Sequence, residues 1–353
     1  MTFKGKRFNI KNVTGYIFEI YRKVVCIVTI KKVAELAGVS TATVSRVLNN
    51  KGNVSARTKM IVEDIIHEME YEPNDLARML YRGRSNMIAL LVPDIMNPFF
   101  PELARAVEDT AKSEGYTCIL CNTDGDYYKE ISYIKAITQK KIDGVIIVSN
   151  TITEDEVDDI NLPVVMLDRK TKANVNSITI DNQAGVQDAI NFLKSLGCKK
   201  IAHLAGPEND INAQVRKDYY LKEVGQEKWF DSDMIAFGDY DFDKSVIATK
   251  KILSNNSDID GLFAGNDLMG FGALKAAYDL RIDVPKSLSV IGFDGISLGE
   301  TVTPSLTTME QPIYDMGMYA VKILLDQIEG EKVYRHKKFF AQLKKRESTK
   351  QGD

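Results

Sequence analysis

The sequence is poor in the residues on which metal, redox and membrane chemistry depend. Its 353 residues hold four cysteines, three histidines and one tryptophan. Of Cys26, Cys118, Cys121 and Cys198, one pair, Cys118 and Cys121, makes a C-x-x-C. It falls in the strand-like run Thr117-Cys118-Ile119-Leu120-Cys121, where a spacing of three sends the two thiols to opposite faces. With no second C-x-x-C and no histidine pair nearby, a zinc site lacks its ligands, and so few free thiols suit a reducing cytoplasm. No metal and no cofactor is expected. Nor is an enzyme: His203 lies in a strand-like run, His67 on a helix of the head, and neither stands as a base beside a nucleophile. The apolar stretch Tyr16 to Val28 is interrupted by Glu19, Arg22 and Lys23, which denies it the run of about 20 residues that a membrane span needs. No small-residue cleavage site follows it, so residues 1–28 read as an extension, a disordered basic arm or an upstream start, and no membrane partner is expected.

What is present is a chain of ordinary globular composition, 44% hydrophobic and 27% charged, long enough for two or three units. Its charge is unevenly spread. Residues 29–84 carry nine Lys/Arg against seven Asp/Glu, residues 1–28 six against one, and the remainder thirty-one against forty-one. A mildly basic head on an acidic body suits a protein that touches nucleic acid through its head and keeps its larger part off it.

The head is the most informative stretch. In Val33-Ala34-Glu35-Leu36-Ala37-Gly38-Val39-Ser40-Thr41-Ala42-Thr43-Val44-Ser45-Arg46-Val47-Leu48-Asn49, the residues Val33, Leu36 and Ala37 share one helical face and Gly38 supplies a turn. Ser40 caps a second helix, whose Val44, Val47 and Leu48 return to the core. Thr41, Ala42, Ser45 and Arg46 are left to face a DNA groove, the arrangement of a helix-turn-helix. A third helix runs from about Ala56 to Glu70. Pro73 then opens a short helix, Asn74 to Leu80.

The order VAELAGVSTATVSRVLN followed by VSARTKMIVEDIIHEMEYEPNDLARML resembles, without a gap from Thr29 to Leu80, the DNA-binding head and hinge helix of the lactose/galactose repressor family of bacterial transcription regulators. The resemblance implies a homodimer on operator DNA whose paired hinge helices enter the minor groove. Asn74, Arg78 and Leu80 then join the DNA-binding set, with Leu80 wedging a central base step. On periodicity alone Leu76 and Met79 serve equally well. No leucine heptads follow Thr349, so the coiled-coil appendage of tetrameric relatives is not expected. The implied domains are a head at 29–72, a hinge and linker at 73–85, and a core at 86–353.

From Asn86 onward β-rich runs alternate with helical ones: Met87 to Val92, Gly144 to Val148, Val164 to Leu167, Lys200 to Leu204, Gly261 to Ala264 and Leu288 to Phe293 read as strands of parallel α/β sheets. Open α/β sheets bind ligands beyond the carboxyl ends of their strands. The residues there are Asn97, Phe99, Phe100, Asp168, Arg169, Arg216, Tyr240, Asn266, Phe293, Asp294 and Gln311, with Phe242 an alternative to Tyr240. Aromatic rings beside planar hydrogen-bonding groups suit a sugar, whose C–H faces stack while each hydroxyl donates and accepts. Two Asp and two Arg nearly cancel, which points to a neutral polyol. The motifs NPFF, LDR, QVR, GDY, GND, GFD and TTMEQP resemble the ribose-binding branch of the family. That resemblance implies a two-lobed core like periplasmic sugar-binding proteins, crossed by the chain near Asn182, near Gln311 and close to the C-terminus. It also implies a repressor of ribose uptake and catabolism released by ribose. A carbon-control regulator that works with a phosphorylated carrier protein, and a repressor with a purine corepressor, are the alternatives.

Overall fold

The computed structural model describes residues 29–48, 52–71, 83–169, 175–331 and 334–350. The hinge candidates Asn74, Arg78 and Leu80, and the extension at 1–28, lie outside the described residues. The chain separates into two compact units, Met1–Gly83 and Arg84–Asp353.

In the first unit α1 (Ile30–Leu36), α2 (Thr41–Leu48) and α3 (Ala56–Glu68) each start at a hydroxyl cap. Thr29, Ser40 and Ser55 accept from the backbone N–H groups of Lys32, Thr43 and Thr58, which satisfies donors that a helix start leaves orphaned. Gly38 makes the turn between α1 and α2 at φ +62°, where a side chain would strain. The core is Val33, Ala34, Val44, Val47, Val62 and Tyr71. Leu36 is 51% exposed, so the buried face of α1 is set by Val33 and Ala34, with Ala37 beside them, and not by Leu36.

The second unit carries two six-stranded sheets. The first lobe is built from β1 (Met87–Val92), β2 (Thr117–Asn122), β3 (Gly144–Val148), β4 (Val164–Leu167) and β5 (Asn176–Ile180), with β11 (His336–Phe339) in the order β11-β5-β4-β3-β1-β2. The second lobe holds β6 (Ile201–Ala205), β7 (Ile235–Phe237), β8 (Gly261–Ala264), β9 (Ser289–Asp294), β10 (Thr307–Glu310) and β12 (Gln342–Lys344), in the order β12-β10-β9-β8-β6-β7. Every pairing is parallel except β10 with β12. The helices of this unit are α4 (Phe99–Ser113), α5 (Tyr127–Gln139), α6 (Glu154–Asp158), α7 (Asn182–Ser195), α8 (Ile211–Val224), α9 (Phe242–Asn255), α10 (Asp267–Asp279) and α11 (Ile313–Ile328). The six strands read from the sequence all form, because buried parallel strands are nearly continuous apolar runs and stand out as such. The polar tail also contributes, one short strand to each sheet. His336 Nδ1 lies 2.8 Å from Ser177 Oγ on the neighbouring strand. The chain passes between lobes after β5, after β10 and between β11 and β12.

Candidate functional site

On α2, Val44 and Val47 point inward while Thr41, Ala42 and Arg46 are exposed and Ser45 is half-buried. The face that the sequence assigns to a DNA groove is therefore the face the fold leaves open.

Between the two sheets lies a cavity of about 480 Å³. The first lobe lines it with Asn97, Phe99, Phe100 and Asp168, the second with Arg216, Tyr240, Asn266 and Asp294, and Gln311 comes from the crossing after β10. Each position has a local cause. Asn97 Oδ1 accepts from the Phe99 N–H at 3.1 Å and so fixes the start of α4, on which the Phe99 and Phe100 rings meet edge to face at 5.2 Å. Asn266 caps α10 by accepting from Met269 N–H at 2.9 Å. Asp168, Tyr240 and Asp294 sit at φ +62°, +58° and +120°, conformations that non-glycine residues rarely hold. Such strain clusters where side-chain placement matters more than local ease. The Tyr240 ring lies on Gly206, where a Cβ would come within 2.6 Å of it.

Arg216, 3% exposed, anchors the second lobe's wall. Its Nε donates to Asn182 Oδ1 at 2.8 Å and its Nη1 to the Gly265 carbonyl at 2.5 Å, with Asp294 Oδ1 3.6 Å away. The guanidinium carbon stands 3.9 Å from the centre of the Phe293 ring. Gln311 Nε2 donates to Asp294 Oδ1 at 2.7 Å. Behind it Asp267 accepts from the N–H groups of Gly295 and Ile296 and from Thr308, which shapes the loop beyond Asp294. Asn182 Nδ2 donates to Asn212 Oδ1, whose Nδ2 reaches the Asp168 carbonyl of the opposite lobe at 2.8 Å.

The cavity is rich in acceptors. Burial pushes the Asp168 carboxyl up to about 7, against the pull of Arg216. Burial likewise lifts Asp294 to about 6, with Arg216 and Gln311 opposing. Asp168 Oδ1, Gln311 Oε1 and Glu130 Oε1 are buried without a hydrogen-bond partner among the described residues, while Glu130 Oε2 accepts from the hydroxyls of Ser149 and Thr151. Such groups are costly unless something donates to them.

Two sequence candidates stand outside the lining. Arg169 Nη1 donates to the Ile152 carbonyl, because the residue after Asp168 turns back into the first lobe. Phe293, fully buried, lies one layer behind as the surface on which Arg216 rests. Phe242 begins α9 and is absent from the lining, which takes Tyr240. The expected cancellation of two Asp by two Arg does not hold: Arg169 is withdrawn and Asp210 enters the cavity, so the wall is acidic around one guanidinium, with Lys244 at the lining already paired to Asp239 at 2.9 Å. Sequence reasoning passed over Asp210, Asn212 and Asn150. A signal existed in Pro207-Glu208-Asn209-Asp210, a turn cluster just beyond a strand end, the same kind of place that yielded the other candidates. Among the described residues no cluster of metal-ligating side chains occurs.

Residues 29–74 match the family of bacterial regulatory proteins, lacI family, and residues 190–349 match the periplasmic binding protein-like domain. The chain is 43% identical to the ribose operon repressor of Halalkalibacterium halodurans over 92% of its length and 98% of that protein's. It is 35% identical to the catabolite control protein A of Priestia megaterium, over 87% of this chain and 94% of that one. Among solved structures, the lac repressor dimer bound to operator and the anti-inducer ONPF superposes with a TM-score of 0.83 at 26% identity, covering 91% of this chain and 99% of the other.

Proposed function

We propose, from the premise that this chain belongs to the lacI family of bacterial regulatory proteins, that it represses genes of ribose uptake and catabolism and leaves its operator when ribose fills the cleft. Membership makes it a DNA-binding transcriptional regulator of the bacterial cytoplasm and not an enzyme. Among the described residues no helix is long and apolar enough to cross a membrane. The chain acts as a homodimer in this reading, as the lac repressor does on its operator.

The observation that carries ribose is the set of three buried acceptors with no partner among the described residues, Asp168 Oδ1, Gln311 Oε1 and Glu130 Oε1, in a cavity that also offers Arg216 and the rings of Phe100 and Tyr240. Hydroxyl donors satisfy such acceptors, and ring C–H faces stack on the aromatics. A phosphate ester brings more acceptors and negative charge to an acidic wall. The relative named as a ribose operon repressor supports the same choice. A carbon-control role is the second reading, supported by the 35% identity to catabolite control protein A; it does not require the acceptor-rich cleft.

The proposed site is Asn97, Phe99, Phe100, Asp168, Arg216, Tyr240, Asn266, Asp294 and Gln311 for the sugar, and Thr41, Ala42, Ser45 and Arg46 for base edges. Closure of the lobes on the sugar shifts the population away from the operator-binding form, by a coupling of roughly 1 to 3 kcal/mol. Isothermal titration with ribose, ribose 5-phosphate, galactose and hypoxanthine tests the effector. Ribose is expected to bind most tightly and to release operator DNA. Preference for the phosphate ester overturns the neutral-sugar reading, and a ligand that strengthens operator binding overturns induction.

A further inference from the structure

Asp210 joins three parts of the cleft. Its Oδ1 caps α8 by accepting from the Ala213 N–H at 2.7 Å, and it also accepts from the Tyr240 hydroxyl at 3.2 Å. Its Oδ2 accepts from the amide of Asn150, which follows β3 on the opposite lobe. Asn150 is exposed yet lines the cavity, so the bond spans the rim. One carboxylate therefore touches the helix that carries Arg216, the strained turn that presents Tyr240, and the facing lobe. All of these bonds are made between atoms of the chain itself.

We propose that Asp210 is a positioning residue and that its hydrogen bond to Asn150 is a clasp across the rim, biasing the lobes toward closure before the effector arrives and tying that closure to the placement of the Tyr240 ring. The proposal deepens the effector reading of the cleft and rests on it for its regulatory meaning; the clasp itself does not depend on which effector binds. A ligand that needs the closed arrangement binds in proportion to the fraction already closed. Removing one such bond then weakens the effector by about two- to tenfold.

Three variants separate the clasp from the cap. Asn150→Ala removes the cross-lobe donor and leaves the cap and the Tyr240 contact. Asp210→Ser keeps an N-cap on a side chain too short for Asn150. Asp210→Asn retains a cap and can pair amide to amide. Lobe spacing is read by pulsed spin-label distances between ketone-bearing residues installed at exposed Tyr128 and Ile247, one on each lobe, in the ligand-free full chain. The expected result is wider spacing in Asn150→Ala and Asp210→Ser, near-parental spacing in Asp210→Asn, and ribose binding two- to tenfold weaker in the first two only. Unchanged spacing in Asn150→Ala overturns the clasp, as does an Asp210→Ser chain that closes like its parent. Should the parent fail to take up ribose, the choice of effector falls, while the spacing still decides the clasp.

Discussion

The two lobes share one plan and divide the chemistry unequally. Strand for strand their sheets correspond, β1 to β6, β2 to β7, β3 to β8, with a short tail strand on each outer edge. Yet the first lobe brings to the cavity two packed rings, the amide of Asn97 and carboxyls that include Asp168 and Glu130, while the second brings the guanidinium of Arg216, with Asp294, Asp210 and a tyrosine held in a left-handed turn. The second lobe's groups are already bound to one another: Arg216 to Asn182 and Gly265, and Asn182 in turn to Asn212. In the first lobe Asp168 Oδ1 and Glu130 Oε1 have no hydrogen-bond partner among the described residues. Duplicated folds need not duplicate function: here one lobe is a polar wall bonded within itself, and the other faces it with stacking surface and two unsatisfied acceptors.

The sharpest way to break that division is Arg216→Ala. It removes the guanidinium from between Asp294, Asn182 and the Gly265 carbonyl and leaves buried acceptors unanswered. Loss of one partner of a buried charge-assisted bond costs about 2 to 5 kcal/mol, so effector affinity falls roughly thirtyfold to several thousandfold. The head is untouched, and operator binding in a gel-shift assay persists without release by the sugar. Release at parental ribose concentration would show that the second lobe's wall is dispensable.

Asp168→Asn probes the first lobe's share, and it has a signature in pH. Burial raises Asp168 to about 7 and Asp294 to about 6, from the ordinary 3.8, so the empty cleft holds protons that the unfolded chain has lost. The folded state therefore binds more protons between these values, and the empty core loses stability as pH rises from about 4 through about 7. Sugar hydroxyls donate best to ionised carboxylates; binding then releases protons, and affinity rises with pH through about 6 to 7 before levelling. In Asp168→Asn affinity drops about tenfold, the scale of one hydrogen bond to a charged group, and the upper part of the pH rise disappears. Titration calorimetry in buffers of different ionisation enthalpy measures the protons directly. A parental profile flat from pH 5 to 8, or one falling with pH, defeats this account of Asp168.

How legible these regions were in the sequence follows from the range of the signals. The head is local: caps at Ser40 and Ser55, a glycine turn at 38 and valines at helical spacing are all read within a few residues, and Leu36 was misplaced because a neighbouring alanine satisfies the same face. Six parallel strands, and the run that forms β2, were legible as apolar runs, whereas β5 and β10, buried but rich in Asn, Ser and Thr, were not read. Nor were the edge strands β7, β11 and β12, since short, largely exposed segments such as His336–Phe339 carry little apolar signature. For the cleft, position after a strand end marked most of its residues, but not which way each side chain turns. That is why Arg169, adjacent to Asp168, was read as a ligand contact while it bonds to Ile152, and why Asp210, recruited by Tyr240 and Asn150 from distant parts of the chain, was passed over.

The smallest expected effect belongs to the first lobe's aromatic surface, and Phe100 is the residue to test. Phe99 is the poorer probe: it is 4% exposed and sits in the hydrophobic core, where truncation costs about 3 to 5 kcal/mol of stability and confuses folding with binding. Phe100 is half-buried, lines the cavity and meets Phe99 edge to face, so its removal takes away stacking area with little damage to packing. An aromatic contact of this kind is worth about 0.5 to 1.5 kcal/mol. Phe100→Ala should therefore weaken ribose by about two- to tenfold, leave the melting temperature within a few degrees of the parent, and leave the pH profile unaltered, because no titrating group depends on it. Ribose affinity and thermal unfolding, measured on the same preparation, check all three. A loss as large as that of Arg216→Ala, at unchanged melting temperature, would invert the ranking of the two lobes and make stacking, not the polar wall, the main source of effector binding.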